Sequence, residues 1–319
     1  MMPQQRGTSW RAGWGAIAVT AGALVIAGCS GSGPSSGAGA ASGSSASAGA
    51  GASAGAGATA SGSGGGGGSL TAAQAVRQAA AQAQKATSYS ADVSVQTTGT
   101  ASTSLSGTMQ QQTTPTPLAV ADFGSVTVSG QPVSGGIDEI INSNGIYVKM
   151  STLAKETGKP WLEIPVSELS KVSGANFSQL LQNGSNDPLV QAQMLASSDN
   201  VKKVGTATIN GVPTTEYTGT YPVSAGLAKL PAASRSKIAA QLQQLGLTTE
   251  HFTVWLDDQQ QVRKVVSSAK GTSESVASTI VVTSVNHPVT ATVPPASQVS
   301  TVPASELGGS SSSSPATSS

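Results

Sequence analysis

Apolar positions along the chain change period, and the changes mark out the elements. From residue 70 to about 86 they fall three and four apart, at Leu70, Ala73, Val76, Ala80 and Ala83. This is one face of a helix, and Thr71 stands where an N-cap would. From Tyr89 the period drops to two: Tyr89, Ala91, Val93 and Val95 alternate with Ser90, Asp92, Ser94 and Gln96. Leu105-Gly107-Met109, Leu118-Val120 and Val126-Val128 continue it. In residues 145–150, Ile146, Val148 and Met150 face one way and Tyr147 and Lys149 the other, after a turn at residues 142–145. Trp161 to Ile164 reads as a short strand closed by Pro165. The two periods assign these segments to helix and half-buried strand respectively.

Helical spacing returns at Phe177, Leu180 and Leu181, and after Asp187-Pro188, a capping residue followed by proline at a first helical position. A hairpin follows: residues 204–209 run into Asn210-Gly211, the preferred two-residue type I′ turn, and residues 212–221 return. Ile238, Leu242 and Leu245 form one further helical stripe, ended by Gly246. The chain closes on Phe252-Val254-Leu256, a turn at residues 257–261, and strands over 262–266 and 279–285. Successive hairpins with helices between them predict an antiparallel sheet with helices packed to one side, an α+β fold.

The ends follow different rules. Arg6 and Arg11 precede an apolar stretch over residues 12–27 that closes on Ile26-Ala27-Gly28-Cys29. This has the charged, apolar and small-residue regions of a secretory leader. It also has the form of a bacterial lipobox, with Cys29 as the acylated residue and residues 1–28 as the signal peptide. The apolar run is shorter than the roughly 20 residues of a membrane span. Cys29 is the only cysteine, so its acylation would leave no thiol for a disulfide, a metal or a nucleophile. Residues 29–69 are then the lipidated cysteine and an uncharged Ser/Gly/Ala tether, which cannot bury a core and is expected to be disordered. As a flexible coil it would span on the order of 35 Å. Gly51-Ala52-Ser53-Ala54-Gly55 within it matches a nucleophile elbow as a string, but low-complexity sequence supplies neither the strand nor the helix an elbow needs. Residues 70–299 form the expected domain and 300–319 a disordered Ser-rich tail.

Charge narrows the partners. Sixteen basic and fifteen acidic residues give +1, and loss of Arg6 and Arg11 with the leader gives about −1. No basic stripe is present, which argues against nucleic acid. The two histidines, His251 and His287, have no companion at metal-ligand spacing. Asp138-Glu139 and Asp257-Asp258 read as solvated pairs, and Lys202-Lys203 and Arg263-Lys264 as surface charge. No nucleophile–base pair can be named, so the chain reads as a non-enzyme without a cofactor or metal.

The order of several short motifs resembles the actinobacterial lipoproteins grouped around LppX, LprA, LprF and LprG. These are the opening helix with Tyr89-Ser90-Ala91-Asp92-Val93, the Gly145-Ile146-Tyr147-Val148-Lys149 strand, and Trp161-Leu162. Val204-Gly205 with Asn210-Gly211-Val212 into Glu216-Tyr217 follows, then Phe252-Thr253-Val254-Trp255-Leu256-Asp257 through to Val262-Arg263-Lys264. The likeness covers residues 70–292. It implies a curved antiparallel half-barrel, similar to LolA and LolB, with helices covering the concave face. It also implies a hydrophobic cavity between them that binds acylated lipids or lipoglycans for transport, with an envelope export partner. On that fold Val93, Val95, Val120, Ile146, Val148, Phe252, Val254 and Leu256 would line the cavity from the sheet. Leu180, Leu181, Ile238 and Leu242 would close it from the helices. The same residues could instead meet as a dry core, giving a protein-interaction or sensor module of the envelope. The location implied is the cell membrane, lipid-anchored and facing the extracytoplasmic side.

Overall fold

The structure is a computed structural model that describes residues 70–99, 102–168, 200–228 and 246–302, with isolated positions 195, 198, 239 and 243 between them. Cys29, the tether, Leu180, Leu181, Ile238, Leu242 and the helical segment expected from Phe177 to Pro188 lie outside the described residues.

Helix α1 (Ala72–Ala83) begins as its sequence dictates. Thr71 Oγ1 accepts from the Gln74 backbone N–H at 3.3 Å, and Gln74 Oε1 accepts from the Thr71 N–H at 2.9 Å, a reciprocal capping box. The buried stripe is Ala75, Val76, Ala79 and Ala80. Leu70 stays 45% exposed, ahead of the helix rather than on its apolar face.

Thirteen strands form one sheet: β1 (Ser88–Thr98), β2 (Thr103–Gln112), β3 (Leu118–Val128), β4 (Gln131–Pro132), β5 (Ile137–Ile141), β6 (Gly145–Lys149), β7 (Trp161–Pro165), β8 (Lys202–Ile209), β9 (Val212–Pro222), β10 (Thr249–Leu256), β11 (Val262–Lys270), β12 (Ser275–Val285) and β13 (Val299–Thr301). The spatial order is β13-β7-β6-β5-β3-β2-β1-β12-β11-β10-β9-β8, with β4 beside β3. Helices α2 (Ser151–Thr157) and α3 (Val223–Leu227) and a 3₁₀ turn (Ala296–Gln298) complete the described elements.

This order corrects the half-barrel expectation. The sheet is neither closed nor strongly curled, and its path ends in two separate edges. It is also mixed, because β13 runs parallel to β7. The two edges are not built to meet. β13 has three residues, and β8 carries Lys202 and Lys203 beside a register shift between Lys203 and Gly205. Short strands, lysines and bulges keep an edge from pairing. The helices that are described sit at opposite ends of one face. α1 packs with β9–β11, and Leu153 of α2 packs with Val148 and Leu162.

Turn chemistry fixes the hairpins. Asn210 (φ 48°) and Gly211 (φ 79°) hold the type I′ turn between β8 and β9. Asn142 Oδ1 accepts from the N–H groups of Asn144 (2.8 Å) and Gly145 (3.3 Å) ahead of β6. Asp257 is the central acceptor of the β10–β11 turn and is only 4% exposed, so it is not a solvated charge. Its Oδ1 accepts from the backbone of Gln259 (3.0 Å) and Gln261 (2.8 Å), and its Oδ2 accepts from Arg263 Nε at 2.8 Å. Arg263 Nη2 lies 2.7 Å away as well. Asp257→Ala leaves two turn N–H groups and a half-buried guanidinium without their acceptor. It is expected to cost about 1–3 kcal/mol, read as a lowered urea midpoint with an unchanged slope.

Candidate functional site

Because paired residues on adjacent antiparallel strands share a face, the register identifies one apolar face across ten strands. It starts with Leu162 of β7 and passes through Val148 of β6 and Glu139 of β5 to Ala121 of β3. Met109 of β2 and Ala91 of β1 carry it to Val282 of β12. A neighbouring row joins Val93, Ile280, Val265, Val254 and Tyr217 across β1, β12, β11, β10 and β9. Small side chains recur in the middle: Ala91, Ala119, Ala121 and Gly107. At Gly107 a Cβ would collide with the Asp122 carbonyl of β3, where the β2–β3 register shifts.

Eight of the sequence-predicted cavity residues are described, and seven lie on this face. Phe252, Val254 and Leu256 (2%, 1% and 1% exposed) are packed with Ala75, Val76 and Ala79 of α1. Val95 joins Leu105, Phe123 and Val126, with Val93 at its margin. Val148 joins Met150, Leu153, Leu162 and Val302, with Ile146 beside them. These are separate clusters rather than a single assembled site. Val120 is on the opposite face, paired with Gln110 and Ile140. In β3 it is Ala119, Ala121 and Phe123 that turn inward and are buried.

Several residues of the face were not legible in advance. Glu139, read as solvated, is 1% exposed on β5, flanked by Ala121 and Val148. Its neighbour Asp138 points the other way and pairs with Lys149 at 2.7 Å. Tyr221 (3% exposed) stands opposite Glu250, with its ring centroid 6.1 Å from that of Phe252. Burial pushes its hydroxyl far above the ordinary phenol range, and the Glu250 carboxylate reinforces the shift. Burial likewise raises the Tyr147 hydroxyl, which donates to Glu163 Oε1 at 2.9 Å on the outer face.

The outer face differs in character. Trp255 lies under Lys264 (4.7 Å to the ring centroid) and Trp161 under Lys149 (5.8 Å), so both indoles carry a cation on the surface. His251 is exposed on β10, and His287 Nδ1 lies 3.0 Å from the Val285 carbonyl oxygen. Among the described residues, no three His, Cys, Asp or Glu side chains are grouped to hold a metal. No described helix is long and apolar enough to cross a membrane.

No family model matches the chain. An uncharacterized 31.2 kDa protein of Streptomyces griseus is 36% identical over 110 residues, which is 33% of this chain, and the chain spans 35% of that relative's length. Among solved structures, lipoprotein LppX of Mycobacterium tuberculosis is similar at 21% identity, over 69% of this chain and 97% of that one, with a TM-score of 0.38. LprF from Mycobacterium bovis is similar at 14% identity, over 69% and 94%, with a TM-score of 0.43. A LolA superfamily protein from Nitrosomonas europaea is similar at 9% identity, over 70% and 96%, with a TM-score of 0.24.

Proposed function

We propose that the chain is a membrane-tethered, extracytoplasmic lipoprotein, anchored through Cys29, that binds and transports acylated lipids or lipoglycans without catalysing a reaction. The observation that carries this reading is the apolar face. It runs across ten strands, and the described helices pack only against its two ends. Ligand sites are mostly apolar with few polar groups, and the middle of the face is built from the small side chains Ala91, Ala119 and Ala121. The lipobox ahead of the tether supplies the location. A second reading, an envelope interaction module with a filled core, is favoured by the near-complete burial of Val254 and Leu256 against α1.

Val93 separates the two. It is half-buried, opposite Gly107 on one side and Ile280 on the other, and lies between the closed clusters. Protein purified from a related actinobacterial host should carry lipid by native mass spectrometry. Val93→Trp should remove that lipid with little change in melting temperature, because the indole takes the volume of the chains. Wild-type protein that carries no lipid, with Val93→Trp costing about 1–3 kcal/mol by overpacking, would replace the carrier with the filled-core reading.

A further inference from the structure

The outer face holds a hollow that the lipid reading does not use. Register places Gln96, Ala277, Ser268 and His251 side by side across β1, β12, β11 and β10. The next row holds Thr98, Ser275 and Lys270. Side chains on one face of neighbouring strands stand close enough to act together, so the differences in their length shape the surface. Ala277 and Ser268 are short, whereas Gln96, His251 and Lys270 are long. The result is a solvent-open hollow of about 180 Å³ with Ala277 in its floor.

Its chemistry has one sign. Lys270 supplies a full positive charge, and Gln96, Ser268 and His251 supply further donors, while no carboxylate is among the lining residues. The nearest acids on this face, Asp92 and Glu216, stand two rows away, level with Val281 and Trp255. Thr98 and Ser275 hydroxyls bond each other at 2.6 Å. The side chains of Gln96, His251, Ser268 and Lys270 carry no hydrogen bond to another described residue, so their donors are turned to solvent. The hollow is smaller than the roughly 300–1,000 Å³ of sites for drug-sized ligands, which points to one compact group. His251 stands opposite Ser268, and Lys270 is two residues further along the same strand, so these three side chains are near neighbours on one face, and lysine serves phosphate as a point charge.

We propose that this hollow is a phosphate-binding site, with Lys270 as the charge partner and Ser268 and His251 as donors beside it. It goes beyond the lipid reading and stands on the opposite face of the sheet. The phosphate is either free or carried by a lipid headgroup, and the titrants distinguish these sources. Calorimetry of the full chain is run with inorganic phosphate, glycerol 3-phosphate and soluble dioctanoyl phosphatidate, with sodium chloride at equal ionic strength as the blank. Saturable binding is expected for at least one. Binding of phosphatidate alone assigns a lipid headgroup, and binding of all three a free phosphate group. Lys270→Gln should weaken it about tenfold, and Ala277→Leu, which fills the floor and keeps the charge, should abolish it. Both positions are exposed, so melting temperature should not change. Wild-type affinity in Ala277→Leu would mean that phosphate meets scattered surface lysines, and absence of saturable binding by any titrant would equally overturn the site.

Discussion

Phe252→Ala is expected to destabilise the fold by about 3–5 kcal/mol. Phe252 is 2% exposed and heads the large, fully buried side chains. It lies over Gly219 of β9, whose Cα side it fills so closely that a Cβ there would stand 2.7 Å from Phe252 Cζ and 2.8 Å from Ser198 Oγ. Tyr221 flanks the ring at a 35° tilt, and Ala75, Val76 and Ala79 of α1 close the cluster above. None of these neighbours can collapse into the vacated space. Gly219 has no side chain, the helix presents alanines, and Tyr221 is held against Glu250. The cost should therefore sit near the upper end for such truncations, and α1 should be the first element to loosen. For a domain of this size that is a fall in melting temperature of roughly 10 °C. Chemical denaturation checks it: a loss below about 1 kcal/mol would mean that α1 is not docked through this ring. Phe252→Leu, which keeps most of the volume, should cost less than half as much.

The same cluster explains which parts of the fold could be read from the chain. Where a strand puts large residues inward and polar ones outward, as at Phe252-Val254-Leu256 or Ile146-Val148, alternation alone names the buried face. β3 defeats this logic because its inward residues begin with Ala119 and Ala121, while the bulkier Leu118 and Val120 point outward toward Ile140. β5 is hidden for a related reason. Both of its faces are buried in part, so Ile137 to Ile141 has no clean alternation, and the adjacent Asp138 and Glu139 suggest solvent. In fact one is paired to Lys149 and the other enclosed.

Features set by distant partners carry still less local signal. β13 exists because Lys159 Nζ donates to the Val299 carbonyl at 2.7 Å, Val302 N–H donates to Glu163 O at 2.9 Å, and Val302 is 2% exposed beside Leu153 and Leu162. Nothing in Val299-Ser300-Thr301 announces a strand. Sheet closure belongs to this class too. Alternation gives each strand its faces, but whether the two edges meet depends on strand order and on what stands at those edges. Lys202 and Lys203 at one edge and a three-residue parallel strand at the other decide against it.

The proposed anchor at Cys29 carries the second large effect, and its test is independent of the fold. Cys29→Ala is expected either to shift essentially all of the protein out of the membrane fraction or to leave it as the longer, unprocessed precursor. The expected effect comes from the acyl chains. Each buried methylene contributes roughly 0.8 kcal/mol, and attachment by a single chain is only marginal, so a diacylated cysteine holds where the bare chain cannot. Residues 12–27 are apolar but short and rich in glycine and alanine, which suits a cleaved leader better than a span. Metabolic labelling with a radioactive fatty acid should mark the wild type and not the variant. A Cys29→Ala protein that fractionates and migrates as wild type does would instead make residues 12–27 a retained membrane anchor. The sheet would then still face the same side of the membrane, at the end of the same uncharged tether.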